Sequence, residues 1–363
     1  MDATRAQRLS RSRRKWRLAR LTVAPLFLMT VALSGLVGSA GASPGGGVFH
    51  TVCGYQHSLP DDPIVHPGVP RSSHMHDFGG NAATNAFSTL ASLQAGTTDC
   101  TVHAPDKSAD RSGYWVPQLI FNGTPVSFSE QQAYYQSGGP KYVYTPPTGF
   151  EVVAGNAQAT GPQSTSIVKF TCSGGAAGAT NYPPVCPPGS LLKIVVFTPN
   201  CIAHALLTTA HGKNDTSQTT YATNGVCPSG FDPIAQVRIE VKYPAGVDGR
   251  GTVAFASGPY YTMHADWFNA WDHTTLDAFV QGCIDTGIDC GNTMPTGVNT
   301  SSTSSTSSSS STSSTSSTSS TTSSTSTSST SSTTTPTTLS LSHTPCTVLR
   351  TQSGFCTGTF SST

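Results

Sequence analysis

The residues best equipped for chemistry in this 363-residue chain lie in two short stretches. The first, Asp61 to Asn81, sets three His (His66, His74, His76), three Asp (Asp61, Asp62, Asp77), Arg71 and Asn81 among Pro and Gly. His74 and His76 are two apart, so in an extended backbone their imidazoles project to one side, with Asp77 and Asn81 expected within reach of that face. The second runs from Tyr260 to His273, and in it His264 and Asp266 repeat the two-apart spacing. Two His and a carboxylate form a ligand set for a catalytic metal. Neutral imidazole beside a carboxylate is equally a proton-transfer pair. The same imidazoles can instead donate to backbone carbonyls and pin irregular loops. The catalytic candidates are therefore His74, His76, Asp77, His264 and Asp266, and the substrate-binding candidates Asp62, Arg71, Asn81, Trp115, Asn269 and Trp271. The sequence requires no cofactor; if a divalent metal is bound, His74, His76 and Asp266 are its expected ligands. Asp266 has a structural alternative as a helix N-cap. Trp115, Trp267 and Trp271 offer a sugar-stacking platform, although the last two also fit burial at helical spacing.

Other chemistries are excluded by what is missing. H-E-x-x-H, G-x-S-x-G and the phosphate-binding G-x-x-x-x-G-K-[ST] do not occur. After the basic leader the only Glu are Glu130, Glu151 and Glu240, so a paired-carboxylate glycosidase would have to use Asp. Glu240, on the polar side of an alternating strand, reads as surface charge.

Those stretches must be carried by an exported, disulfide-closed scaffold. Residues 1–20 hold eight basic side chains against one acid, an apolar run follows from Leu21 to about Val37, and small residues Gly38 to Ser43 close the segment. This is the pattern of a signal peptide over residues 1–42, leaving no transmembrane anchor after cleavage. Without it the chain keeps 11 of its 19 Lys+Arg and 17 of its 18 Asp+Glu, a net charge of −6. That balance gives no electrostatic case for nucleic acid. All ten Cys follow the leader and no C-x-x-C occurs, which in an exported chain reads as disulfides. Nearest-neighbour pairing costs the least loop-closure entropy and gives Cys53–Cys100, Cys172–Cys186, Cys201–Cys227, Cys283–Cys290 and Cys346–Cys356.

Most segments between Cys100 and Cys290 read as strands between Pro, Gly and Asn turns. The cleanest is Gln236 to Tyr243, where Val237, Ile239, Val241 and Tyr243 alternate with Arg238, Glu240 and Lys242, a half-solvated antiparallel strand. Helical spacing marks a short helix over 85–96 and a second from Trp267 through Cys283. The expected fold is mainly β: an antiparallel, sandwich-like, disulfide-rich domain with two short helices over 43–296. Residues 300–335 are only Ser and Thr, so 297–343 is expected to be a disordered, O-glycosylated stalk, and 344–363 a short disulfide loop.

The two polar stretches carry a resemblance. Asp62-Pro63-Ile64-Val65 through Ser73-His74-Met75-His76-Asp77-Phe78 to Gly80-Asn81 resembles the opening signature of domain of unknown function 1996, a family of secreted fungal and bacterial proteins. It continues through Tyr114-Trp115-Val116-Pro117, Cys201, Gly225-Val226-Cys227-Pro228 and His264-Ala265-Asp266-Trp267-Phe268-Asn269-Ala270-Trp271, covering roughly 48–290. Members usually follow the Cys at position 201 with Trp, an acidic or amide residue and Gly; here Ile202-Ala203-His204 follow. The family implies secretion and a recognisable fold but no established activity. The expectation is a secreted or cell-wall-associated protein that acts on or binds cell-wall or plant polysaccharide through its His/Asp site, as a hydrolase or lyase if catalytic. The alternative is a non-catalytic wall-binding or structural module whose clusters only pin loops.

Overall fold

The computed structural model describes residues 46–104, 106–207 and 218–295. The leader, the Ser/Thr tract and the expected Cys346–Cys356 loop lie outside the described residues. Eleven strands form two main sheets. In chain order they are β1 (Val48–Cys53), β2 (Tyr55–Leu59), β3 (His76–Gly80), β4 (Gly113–Pro117), β5 (Glu130–Gln136), β6 (Glu151–Gly155), β7 (Val168–Cys172), β8 (Leu192–Phe197), β9 (Gln236–Lys242), β10 (His264–Phe268) and β11 (Asp289–Gly291). One sheet has the order β11-β1-β5-β9-β8-β7, antiparallel except for the parallel β1/β11 pair. The other, β2-β3-β4-β10-β6, is antiparallel throughout. Two smaller sheets, of three and four short strands, complete the described β structure.

The main core gathers one face of each large sheet. Phe49, Ala133, Tyr135, Val237, Ile239 and Val241 come from the six-stranded sheet, and Tyr114, Val116, Val152, Ala154, Ala265 and Trp267 from the five-stranded one. Alternation along each strand selects these positions. Trp267 meets Tyr135 edge to face at 5.8 Å, and Trp271 donates its indole N–H to the Tyr135 hydroxyl at 2.8 Å. Trp271 is thus a core anchor and not part of a sugar platform. The opposite face of the five-stranded sheet carries a smaller cluster of Ile64, Phe78, Leu93, Trp115, Phe268 and Ala270. This second face also holds the candidate site.

Both helices are shorter than expected. In the first, Thr89 caps Leu90–Ala95 through a reciprocal pair with Ser92, and Leu93 is its buried residue. The second starts later: Trp267 lies in β10, and α2 spans His273–Phe279. Asp272 is its N-cap, accepting from Thr275 N. The three-to-five-residue recurrence of apolar residues runs across a strand, an isolated bridge from Trp271 to Asp110 and a helix, all buried. Asp266 is therefore a mid-strand residue and not a cap.

Four disulfides join Cys53–Cys100, Cys172–Cys186, Cys201–Cys227 and Cys283–Cys290, in nearest-neighbour order. Glu240 departs from its expected surface role. It is 4% exposed and sits between Lys193 Nζ at 2.8 Å and Arg238 Nε at 3.0 Å, so the outer sheet face is roofed by paired charges.

Candidate functional site

The geometry of the site follows from strand register. Phe78 of β3 and Asp266 of β10 both pair with Trp115 of the intervening β4. Two residues further along, His76 pairs with Pro117 and His264 falls opposite the same position from the other side. Cross-strand partners share a face, and two strand spacings separate the outer strands by about 9.5 Å. Two imidazoles leaning together over Pro117 close that gap. Their Nε2 atoms stand 3.3 Å apart. His74, from the loop entering β3, brings a third ring, with Nε2 3.2 Å from that of His264. One nitrogen from each of the three lies within 4.8 Å of the other two.

Backbone carbonyls orient two of these rings. His76 Nδ1 bonds the Asp61 carbonyl at 2.9 Å, and His264 Nδ1 bonds the Thr262 carbonyl at 2.9 Å. Because a carbonyl only accepts, each Nδ1 carries the proton, and in the neutral ring Nε2 is a bare lone pair. Asp61 is held in turn by its own carboxylate, which accepts from Arg71 N at 2.8 Å and Ala86 N at 3.1 Å. Asp61 and Thr262 lie inside the two polar stretches but are not among the sequence-derived site candidates, since a backbone carbonyl carries no residue-type signal.

Burial dominates the electrostatics. His76 is wholly buried and His264 is 2% exposed; His74 is half-buried and opens the cluster to the surface. Desolvation and the neighbouring His264 and His74 rings hold His76 well below the ordinary imidazole value. Desolvation takes His264 down to about 4, against the opposing pull of the Thr262 carbonyl. His74 is lowered by burial and by His66 nearby. Asp266 lies 3.9 Å from His264 Nε2, wholly buried, and neither carboxylate oxygen has a hydrogen-bond partner among the described residues. Burial, then the charge of Asp62, pushes it well above the usual carboxylate range. Both partners are thus driven toward their neutral forms, so the 3.9 Å contact is not an ion pair.

The remaining sequence-derived candidates separate cleanly. Asp77 follows His76 in the strand and so points to the other face, where it accepts from Ser58 Oγ at 2.6 Å and Gln118 Nε2 at 2.9 Å. Asn81 spends its amide on the carbonyls of Leu93 and Arg111 and on the N–H of Ala83. Asn269 bonds the carbonyls of Pro146 and Pro147 and Trp271 N. These three are structural pins. Asp62 Oδ1 accepts from Ile64 N and Val65 N and caps the turn below His66. Arg71 is exposed, in the left-handed region at φ 59°. Trp115 is fully buried beside Asp266, its indole N–H without a partner among the described residues. Of the expected His74, His76 and Asp266 ligand set, the two imidazoles converge with His264, and Asp266 lies alongside.

A family model described as Domain of unknown function (DUF1996) matches residues 62–271, which runs from the turn under His66 to the core anchor Trp271 and takes in the whole cluster. No curated protein and no solved structure matches the chain.

Proposed function

Given that this chain belongs to the family defined by domain of unknown function 1996, we propose that it acts outside the cell on cell-wall or plant polysaccharide, through His74, His76, His264 and Asp266. One observation carries the reading. Three imidazole nitrogens and a buried carboxylate, from segments about 190 residues apart in sequence, converge on one point. A loop pin needs one imidazole and one carbonyl, whereas here the carbonyl bonds use only the Nδ1 atoms. The Nε2 atoms and both Asp266 oxygens remain for a ligand, and half-buried His74 gives access. Four disulfides are consistent with an oxidising, extracellular setting, as is the leader-like N-terminal sequence. Among the described residues no helix is long and apolar enough to cross a membrane.

The saccharide is recognised here by polar groups and not by tryptophan stacking, because Trp115, Trp267 and Trp271 are all buried. A hydrolase or lyase fits the chemistry, since both need a group that accepts a proton near the reacting bond. A second reading, a non-catalytic wall-binding module, is favoured by the number of polar residues committed to loops: Asp61, Asp62, Asn81 and Asn269. The test is a panel of chitin, β-glucan, xylan and pectin, assayed for both adsorption and soluble products, with the secreted protein and its His74→Ala variant. The expected result is product release by the parent and none by the variant, at nearly unchanged melting temperature. Adsorption without products, surviving in His74→Ala, would establish the binding module instead.

A further inference from the structure

We infer that His74, His76 and His264 form a mononuclear transition-metal centre, each giving Nε2 to one zinc-class divalent ion, with the Asp266 carboxylate beside it. The inference uses the same site as the proposed function but does not depend on the substrate being a polysaccharide.

The first argument is proton counting. With Nδ1–H of both His76 and His264 committed to carbonyls, two neutral rings present lone pairs to each other across 3.3 Å. Lone pairs at that distance repel unless something positive lies between them. Among the described residues no carbonyl bonds the His74 ring, which can turn an N–H toward His264. It then satisfies one contact at 3.2 Å and leaves the His76–His264 contact unsatisfied. A single ion accepts all three lone pairs at once.

The second argument is size. A tetrahedral ion with metal–nitrogen bonds of about 2.0–2.1 Å separates its ligand atoms by about 3.3–3.4 Å. The two closest separations are 3.2 and 3.3 Å. Three imidazoles also select the class of ion. Calcium and magnesium take oxygen ligands, while imidazole suits zinc, copper, nickel and iron.

The third argument is charge. Asp266 is wholly buried with neither oxygen hydrogen-bonded among the described residues, a costly arrangement by itself. A divalent cation beside it supplies the missing partner. Its Oδ2, 3.9 Å from His264 Nε2, lies beyond the tetrahedral edge and so sits alongside the three nitrogens. Three protein ligands that leave a fourth position for water or substrate are the pattern of a catalytic and not a structural zinc site. The carbonyls of Asp61 and Thr262 are the outer partners that fix which nitrogen of each ring faces the ion.

The experiment uses the secreted full-length chain, purified without chelators. Metal content is read by mass spectrometry, then the protein is stripped with dipicolinate and titrated calorimetrically with Zn²⁺. One equivalent of an imidazole-preferring first-row ion is expected. His74→Ala and His264→Ala should each weaken Zn²⁺ binding by more than the about 10–100-fold typical of losing an outer-shell partner, and His273→Ala should leave it unchanged. Since His264 is buried, circular dichroism accompanies each variant, and His74→Ala, half-exposed, decides if His264→Ala fails to fold. A folded parent that takes up no ion, or a His74→Ala variant that binds Zn²⁺ as tightly as the parent, overturns the inference in favour of a proton shared among the rings. The two proposals fail separately. Stoichiometric metal without action on any glycan removes only the substrate reading, and glycan turnover by metal-free protein removes only the metal.

Discussion

Asp61 links loop structure to the site through two different groups on one residue. Its carboxylate holds Arg71 N and Ala86 N, while its carbonyl orients His76. Asp61→Ala therefore orphans two N–H groups, one of them buried, at about 1–3 kcal/mol for a buried group left unpaired, and frees the His76 ring. A lower melting temperature and loss of activity or ligand affinity should appear together in Asp61→Ala, whereas His74→Ala separates them; stability and binding measured on both variants check this. A second residue-scale prediction concerns Asp110, wholly buried, which accepts from Ser112 N and the Tyr114 hydroxyl. Burial raises it from 3.8 to about 6. The folded state thus holds this proton up to about pH 6 and the unfolded state only to 3.8. Its contribution to stability is complete below 3.8 and lost as pH rises through about 6, a change of about 3 kcal/mol. Asp110→Asn keeps a neutral side chain at all pH. The melting temperature of the variant relative to the parent should rise by several degrees between pH 4 and pH 7, as read by scanning calorimetry.

At the scale of elements, the site depends on how closely β6 approaches the start of β10. Gly155 pairs with His264 at φ +83°, and a Cβ there would lie 2.8 Å from the Met263 carbonyl oxygen and 3.0 Å from His264 Cα. Both contacts are with backbone or its root and cannot swing aside. Gly155→Ala should cost about 1–2 kcal/mol for the left-handed backbone alone and displace His264, weakening ligand binding beyond the loss of stability. Thermal melts paired with Zn²⁺ titration check it. Legibility from sequence also divides at this scale. The period-two rule placed His74 with His76 and His264 with Asp266, but applied to neighbours it also places Asp77 on the opposite face from His76, where its bonds to Ser58 and Gln118 lie. That β3 and β10 flank one strand, so that His76 meets His264, is a fact of long-range pairing and leaves no mark in local spacing. The late start of α2 was hidden because Trp267 and Trp271 are buried for unrelated reasons, one in a strand and one in an isolated bridge to Asp110. Asp272 held the capping signal, four residues before the first buried Leu of the helix.

Across the whole molecule, the scaffold ends where its last pairings end. β11 lies against β1, with Val48 N donating to the Ile288 carbonyl at 3.0 Å, and Cys290 is bridged to Cys283 in the turn after α2. Beyond it His103 N donates to the Asn292 carbonyl at 2.6 Å and Met294 N to the His103 carbonyl at 2.9 Å. After Val298 the sequence offers no apolar side chain to extend the core until Pro336 and Leu339. A chain ending at 296 should therefore melt within a few degrees of the full secreted chain and keep its ligand binding. Ending at 287 removes β11, the disulfide partner of Cys283 and the cover over the outer edge of β1. A disulfide is worth about 2–4 kcal/mol, and 1 kcal/mol moves the melting temperature of a domain this size by about 2–4 °C, so the shorter chain should lose on the order of 10 °C. Melting curves of the two truncations beside the parent, under oxidising conditions, decide it. Equal losses in both would mean that residues after 296 dock on the domain, and no loss in either would mean that β11 and its disulfide contribute nothing to closing the six-stranded sheet.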